Sequence, residues 1–254
     1  MIVRKSPAEI ETMASAGKVV ADTLALMEEH IQPGITTGEL DAIAEEFIRS
    51  HGGEPTFKGY RGYPASICSS PNDMVVHGIP GKVKLAQGDV LSVDVGVTLD
   101  GFVADSAWTF PVGTISSAAQ RLLATCQAAL EAGIDAARVG NDVANISNAV
   151  QTVTEEAGFG IIRSLVGHGV GRSMHEDPQV PNFVSRNRGP ELKAGMTLAI
   201  EPMITAGTPE VYIHDDQWSI STVDASLAAH FEHTVAVTAE GPRILTAKTA
   251  VLVP

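Results

Sequence analysis

Two ten-residue stretches of the chain follow one pattern. LAQGDVLSVD (85–94) and LKAGMTLAIE (192–201) both read L-x-x-G-x-x-L-x-[VI]-[DE], and each ends on a carboxylate. Upstream of each stands a histidine followed by glycine and a branched apolar residue: VVHGIP around His77 and VGHGVG around His168. Earlier still, PGITTGELDAIAEEFIRSHGG and RVGNDVANISNAVQTVTEEAG are amphipathic stretches that begin after one glycine and finish at another. Self-similarity of this kind narrows the fold more than any single motif, because each copy must supply the same run of elements. Each half reads as a long helix, a second helix, a His-Gly bend and a strand ending in Asp or Glu. No Pro/Ser/Gly-rich linker separates them, so the expectation is one domain of two pseudo-symmetric halves, roughly 1–112 and 113–254.

Local signals fill in the elements. Ser6-Pro7 supplies a cap and a first-turn proline for a helix over 8–29, with Ile10, Met13, Gly17, Val20, Leu24 and Met27 on one side. Thr37 is read as the cap of a helix ending near residue 50, closed by Gly52-Gly53; two more helices are expected over 116–132 and 142–156. Strands are expected around 197–204, 229–237 and 247–253. In AHFEHTVAVT, alternation puts His230, Glu232, Thr234 and Ala236 on one face and Phe231, His233, Val235 and Val237 on the other.

The stretch SVDVGVTLDGFVADSA (92–107) carries the first chemistry. Asp100-Gly101 is a two-residue hairpin signal, because both positions tolerate positive φ and the turn matches strand twist. That turn pairs Leu99 with Phe102, Gly96 with Asp105 and Asp94 with Ala107. Asp94 and Asp105 then share a face as diagonal neighbours about 7–8 Å apart at the backbone. Leu91, Val93, Val95, Val97 and Leu99 fill the other face. Two carboxylates this close repel unless one holds a proton or a cation lies between them. The plainer reading is a solvated polar face on an edge hairpin; Gly96 opposite Asp105 counts against it by leaving room for an ion.

Composition bounds the rest. The net charge of −13 disfavours broad phosphate-backbone binding, since 17 basic residues face 30 acidic ones, and argues against nucleic acid as the main ligand. The two cysteines, Cys68 and Cys126, give neither a disulfide framework nor structural zinc spacing, which fits a reducing compartment. The start, MIVRKSPAEIETM, has no apolar signal region, and nowhere do eighteen apolar residues run together, so no membrane partner is expected. The expectation is a cytoplasmic protein.

Asp94, Asp105, His168, Glu201 and Glu232 each sit in an apolar strand or a glycine-rich bend. Oxygen-rich sites with one imidazole suit hard or borderline divalent ions. Four carboxylates and a histidine suffice for two ions if some carboxylates bridge, and a pair of ions sharing a hydroxide points to hydrolysis. Plainer readings exist: His168 between glycines as a capping residue, Glu201 before Pro202 as a surface residue. HFEH lacks the H-x-x-E-H spacing, HEDPQ is not H-E-x-x-H, GHGVGRS lacks the phosphate-loop Lys-Ser/Thr, and no G-x-S-x-G elbow is present.

Taken together, PAEIETM, PGITTGELD, VVHGIP, GHGVGRSMHEDPQVPN, AIEPM and HFEHTV resemble the type I methionine aminopeptidases of the pita-bread fold along nearly the whole chain. The resemblance implies an α+β fold, a pseudo-two-fold antiparallel β-sheet flanked by helices, with two divalent metal ions whose identity (cobalt, manganese, iron(II) or zinc) stays open. It implies Asp94 as ligand of one ion, His168 and Glu201 of the other, and Asp105 and Glu232 as bridges. By position, His77 is the residue near the scissile amide and His175 the donor to the scissile carbonyl, with Glu201 doubling as proton shuttle. Tyr60, Tyr63, Cys68 and Trp218 match the usual lining of the methionine side-chain pocket. Met174 stands where the family commonly has phenylalanine, and GFVADS departs from the frequent G-[FY]-H-G-D-[ST] while keeping Asp105.

The implied activity is removal of the initiator methionine from nascent chains with a small second residue. The implied partners are peptide and nascent-protein N-termini, with a transient ribosome contact, and the implied state is a monomer. Without a cysteine-rich amino-terminal extension, and without a long insertion of the kind that marks the type II branch, the chain looks like the minimal catalytic unit. Two alternatives share the fold: an Xaa-Pro peptidase or creatinase-like enzyme, whose members carry an additional amino-terminal domain, and a non-catalytic pita-bread protein that binds partners and has lost its ligands.

Overall fold

In the computed structural model, which describes residues 1–247, the turn at Asp100-Gly101 organises the first large element. Both residues take positive φ, 50° and 76°, as a two-residue turn matching strand twist requires. Leu99 faces Phe102, and the pairing runs unbroken to Val90 opposite Pro111, with Gly96 against Asp105 and Asp94 against Ala107 as expected.

Helices α1 (Pro7–His30) and α2 (Thr37–Ser50) precede strands β1 (Glu54–Pro55), β2 (Cys68–Pro71), β3 (Met74–Val76), β4 (Val90–Leu99) and β5 (Phe102–Pro111). Helices α3 (Ser117–Ala136) and α4 (Val143–Glu156) follow, then β6 (Gly160–Ile161), β7 (Gly167–Gly169), β8 (Glu176–Val180), β9 (Thr197–Ile200) and β10 (Met203–Thr205). The last described strands are β11 (Val211–Ile213), β12 (Ile220–Thr222), β13 (Ala228–His230), β14 (His233–Thr238) and β15 (Gly241–Ile244). The strand expected over 247–253 lies outside the described residues except for Ala247, which is in no strand.

Among the described residues every strand pairing is antiparallel, which with the four α-helices found there makes the expected α+β class. β4 pairs with β5 along its length and with β2 and β1 along parts of its other edge. A five-stranded sheet runs β15-β14-β9-β7-β8, and two three-stranded sheets run β13-β10-β6 and β11-β12-β3.

Helix starts follow local chemistry. Ser6 and Thr36 each form a capping box with the glutamate three residues on, Glu9 and Glu39, satisfying main-chain donors that the first turn leaves free. The cap of α2 is therefore Thr36, not Thr37; the Thr37 hydroxyl instead accepts from the Gly81 amide. The helix expected to stop at 132 continues to Ala136, because Gly133 is a packing position and not a terminator. A Cβ there would come within 2.9 Å of Val150 and 3.2 Å of Ile200, so its absence lets α3 lie close to α4 and β9.

Two apolar layers result. Val20, Leu24 and Met27 of α1 and Leu40, Ala44 and Ile48 of α2 pack on Leu91, Val93, Val95 and Val97 of β4. Leu122, Cys126 and Leu130 of α3 and Ile146 of α4 pack on Leu198, Ile200, Ile204 and Val235. Trp108 of β5 packs against both layers and meets Phe231 edge-to-face at 4.6 Å, so it stands at the seam.

The strands expected over 197–204 and 229–237 are each interrupted, one at Glu201-Pro202 and the other at Phe231-Glu232. Pro202 has no N–H for a ladder, and it restricts the residue before it. At the second break, hydroxyls of β5 and β14 replace ladder partners. Thr109 accepts from the His230 amide at 2.9 Å and donates to its carbonyl at 2.8 Å. Thr234 does the same for Asp105, at 2.9 and 2.8 Å. These paired bonds, and Glu232 N–H to the Ala107 carbonyl at 2.8 Å, bring the two halves' acidic residues to one place.

Candidate metal centre

The residues singled out from the sequence arrive from separate elements. Strand alternation aims Asp94 and Asp105 from β4 and β5 to one side of the hairpin. His168 sits in β7 opposite Ala199 of β9, Glu201 leaves the end of β9, and Glu232 leaves the gap between β13 and β14. Cys68 of β2 lies directly across from Asp94. All of these line one cavity of about 310 Å³, together with His77, Tyr60, Tyr63, Met174, His175 and Trp218.

The cavity floor is polar and buried. One oxygen each of Asp105 and Glu232 and a ring nitrogen of His168 lie within 4.8 Å of one another, and all three residues are buried. His168 Nε2 is 3.6 Å from Glu201 Oε1 and 3.9 Å from Asp105 Oδ2. His168 Nδ1 lies 2.9 Å from the Gly169 carbonyl; donating there leaves the Nε2 lone pair facing the carboxylates. Burial, and then the positive charge His175 can carry, push the His168 pKa down to about 4, so its ring is neutral at pH 7.

The carboxyls titrate in the opposite sense. Burial raises Asp105 to about 7. Burial first, and then the neighbouring carboxylates, push Asp94 and Glu232 well above the ordinary range; burial and Asp105 do the same to Glu201. Asp94 Oδ1, Asp105 Oδ1 and Glu232 Oε1 are buried without a hydrogen-bond partner. An unsatisfied buried polar atom costs about 1–3 kcal/mol and more if charged, so several in one spot call for a missing positive partner. A divalent cation fits this donor set: hard oxygens and an imidazole whose tautomer is already fixed.

The room expected for an ion at Gly96 is filled otherwise. A Cβ there would come within 2.6 Å of Phe57 Cε1, so the glycine makes way for the Phe57 ring, which closes the cavity's apolar side. That side is one cluster: Phe57, Tyr63, Ala65, Cys68 and Met174 are buried, with Tyr60, Ile79 and Trp218 packed against them. Tyr63 meets Trp218 edge-to-face at 5.1 Å and Phe57 at 6.5 Å. The Tyr63 hydroxyl lies 2.9 Å from the Gly78 carbonyl, which fixes the ring. The slot is apolar and aromatic-walled, with its open side toward the carboxylates.

At the rim, the Tyr60 hydroxyl lies 2.9 Å from His175 Nδ1, and the His175 ring stands 4.3 Å from that of His168. Burial and the Arg61 charge lower the His175 pKa; burial lowers that of His77 to about 4. Phe57, Arg61, Met203 and His230 also line the cavity and were assigned no role from the sequence. For His230 a signal existed, its shared strand face with Glu232. For Phe57 and Arg61 there was none, because the loop that carries them has no period to read.

Residues 11–239 match the model of metallopeptidase family M24. The methionine aminopeptidase of Clostridium perfringens is 50% identical over 246 residues, 97% of this chain and 99% of that protein. The crystal structure of methionine aminopeptidase from Thermotoga maritima superposes with a TM-score of 0.95 at 42% identity, covering 97% of this chain and 99% of that one. The prolidase from Pyrococcus furiosus, 20% identical with a TM-score of 0.78 and covered over 66% of its chain, shares the fold.

Proposed function

Because the chain belongs to metallopeptidase family M24 and is a methionyl aminopeptidase that removes the initiator methionine, we propose that its buried carboxylate–imidazole group holds two divalent metal ions beside a methionine-shaped slot. The observation that carries this reading is the set of buried, partnerless oxygens on Asp94, Asp105 and Glu232. Asp94 would hold one ion, His168 and Glu201 the other, with Asp105 and Glu232 shared between them. Cobalt, manganese, iron(II) and zinc all suit these donors. When bound, such ions lower the pKa of water toward neutrality and stabilise the charge that develops during hydrolysis.

The chain's own groups do the rest. Phe57, Tyr63, Cys68, Met174 and Trp218 take up the methionine side chain, selecting an unbranched apolar group by shape. The slot ends at the carboxylates, so only a free amino terminus fits there, and the Tyr60–His175 pair narrows the rim, which favours a small second residue. With the Tyr60 hydroxyl, 2.9 Å away, as donor to His175 Nδ1, the proton of the neutral ring sits on Nε2. That N–H is the donor to the scissile carbonyl oxygen as it gains negative charge. His77, also neutral, faces the scissile amide. Glu201 accepts a proton from the attacking water and delivers it to the amide nitrogen as the C–N bond breaks, releasing free methionine and a shortened chain.

The two halves, about 1–112 and 113–254, form a single catalytic domain in this reading, since the site takes ligands from both. Its substrates are peptides and nascent chains in the cytoplasm, met by a monomer in transient contact with the ribosome. No helix among the described residues is long and apolar enough to cross a membrane.

Titrating chelator-stripped protein with each divalent metal while following Met-Ala-Ser cleavage tests this. No turnover without metal and a plateau at two equivalents are expected, with Ala-Pro peptides left intact. A plateau at one equivalent would remove the second ion, and cleavage of Ala-Pro peptides alone would remove the methionine slot.

A further inference from the structure

His230 is the one imidazole at the cavity floor without a role so far. It ends β13, is 2% exposed, and points to the same side as Glu232 two residues on. Neither ring nitrogen has a hydrogen-bond partner. The backbone cannot turn the ring away cheaply, because Thr109 binds both the amide and the carbonyl of His230. A neutral imidazole buried in this state forfeits about 1–3 kcal/mol for each nitrogen left unsatisfied, unless something absent from the protein meets it.

The surroundings identify that partner. His230 Nε2 stands 3.5 Å from Glu201 Oε2 and 4.0 Å from Glu232 Oε2. His168 Nε2 stands 3.6 Å from the other Glu201 oxygen and 3.9 Å from Asp105 Oδ2. The two histidines thus flank Glu201, one facing each carboxylate oxygen and each also facing one of the two shared carboxylates. Donors about 2.0–2.2 Å from a common ion lie about 3–4 Å apart across its coordination sphere. The His230 separations fall in that range and are too long or misdirected for a hydrogen bond.

We propose that His230 is a further protein ligand of the metal centre, its Nε2 binding an ion together with Glu201 and Glu232, so that the site offers four carboxylates and two imidazoles. This rests on the reading of the cluster as a metal centre given above. A second imidazole moves the donor set toward borderline ions, which prefer nitrogen, and away from ions that prefer oxygen alone. His230→Gln should therefore weaken cobalt(II) binding by about tenfold or more, since even groups that merely support a ligand cost about 10–100-fold when lost. Manganese(II) binding should fall less.

The test counts nitrogens without using activity. Protein labelled with ¹⁵N in its histidines is loaded with manganese(II) and examined by electron–nuclear double resonance, with calorimetric cobalt(II) and manganese(II) affinities measured alongside. The expected result is two directly bound histidine nitrogens in the wild type, one in His230→Gln and the other one in His168→Gln. A single nitrogen in the wild type, lost in His168→Gln, overturns the role of His230 and leaves the metal centre standing. No bound histidine nitrogen at all overturns the centre as well. Should His230→Gln fail to fold, the wild-type count of two against one still decides.

Discussion

The hairpin β4–β5 and the paired breaks of the second half deliver carboxylates to the same point by different means. In the hairpin, Asp94 and Asp105 stand in a continuous ladder from Val90 to Pro111, and alternation alone aims them. In the second half, Glu201 and Glu232 stand where strands stop, and their backbones are held from outside. Cys126 of α3 reaches the Pro202 carbonyl at 3.3 Å, and Thr109, Thr234 and the Glu232–Ala107 bond bind the other break to β5. A short side chain needs a sheet that brings the backbone close; a side chain one methylene longer can start from a bend and reach in. The repeated sequence pattern thus fixes where Asp94 and Glu201 fall in their halves, but not how their backbones are supported.

Substituting one carboxylate from each half challenges that equivalence most strongly. Asp105→Asn and Glu232→Gln should each lower kcat on a methionyl peptide at saturating metal by more than about 100-fold, since the loss of groups that only support metal ligands already reaches that size. A near-normal rate in one and not the other would show that only one half supplies an essential shared ligand.

Removing metal should expose the strain common to both halves. Asp105 has an ordinary pKa of 3.8 and a folded value of about 7, with Asp94, Glu201 and Glu232 shifted in the same direction. A raised folded pKa means that the folded state binds the extra proton, so the stabilisation is complete below about pH 4 and is lost as pH rises through 7. Metal-free protein should lose stability over that window, on the order of a few kcal/mol, while metal-loaded protein should not. Urea unfolding at pH 5 and pH 8, with and without chelator, measures the difference; a flat metal-free profile would contradict it.

An ion pair ties the amino-terminal segment to the second half. Lys5 Nζ is 2.6 Å from Glu176 Oε2, with side-chain exposures of 3% and 15%, next to His175. Lys5→Met leaves the partly buried Glu176 carboxylate without its cation, with the Ser173 amide still donating to it at 3.2 Å, and should cost about 2–3 kcal/mol, read from the urea midpoint. A cost below about 1 kcal/mol would place this pair with ordinary surface pairs.

Glycine substitutions give the smallest effects and separate the halves again. Gly96→Ala drives a methyl into the buried Phe57 ring and should destabilise by about 1–3 kcal/mol, raising KM because the ring walls the slot. Gly133→Ala brings a methyl to 2.9 Å from Val150 and 3.2 Å from Ile200, both fully buried, a milder overlap than at Gly96 that about 0.5–1 kcal/mol of helix preference partly offsets. Its net change should stay within about 1 kcal/mol. Equal losses would deny that the hairpin side is the more tightly packed.

How much of this was legible follows from the same contrast. The hairpin could be read residue by residue because Asp100-Gly101 fixes the turn and a period of two then fixes every face, so the register from Leu99 to Asp94 needed nothing else. From the sequence alone the stretches through Glu201 and Glu232 read as continuous strands, because what supports the breaks comes from Cys126, Thr109 and Thr234, distant in sequence. Gly96 announced a missing side chain without saying that Phe57 would fill the space. The sequence places the end of α3 at 132, one residue before Gly133, because the reason for that glycine, the approach of Val150 and Ile200, is tertiary. His230 was visible as a face partner of Glu232, and only the lack of hydrogen-bond partners around its ring marked it as more than a buried strand residue.

Diffraction from crystals grown with manganese or cobalt, recorded on both sides of the metal's absorption edge, addresses the shared centre most directly. Two anomalous peaks are expected, each about 2.0–2.3 Å from its donors among Asp94, Asp105, His168, Glu201, His230 and Glu232, with Asp105 and Glu232 touching both. An empty floor, a single peak, or metal bound only elsewhere on the protein would contradict the account.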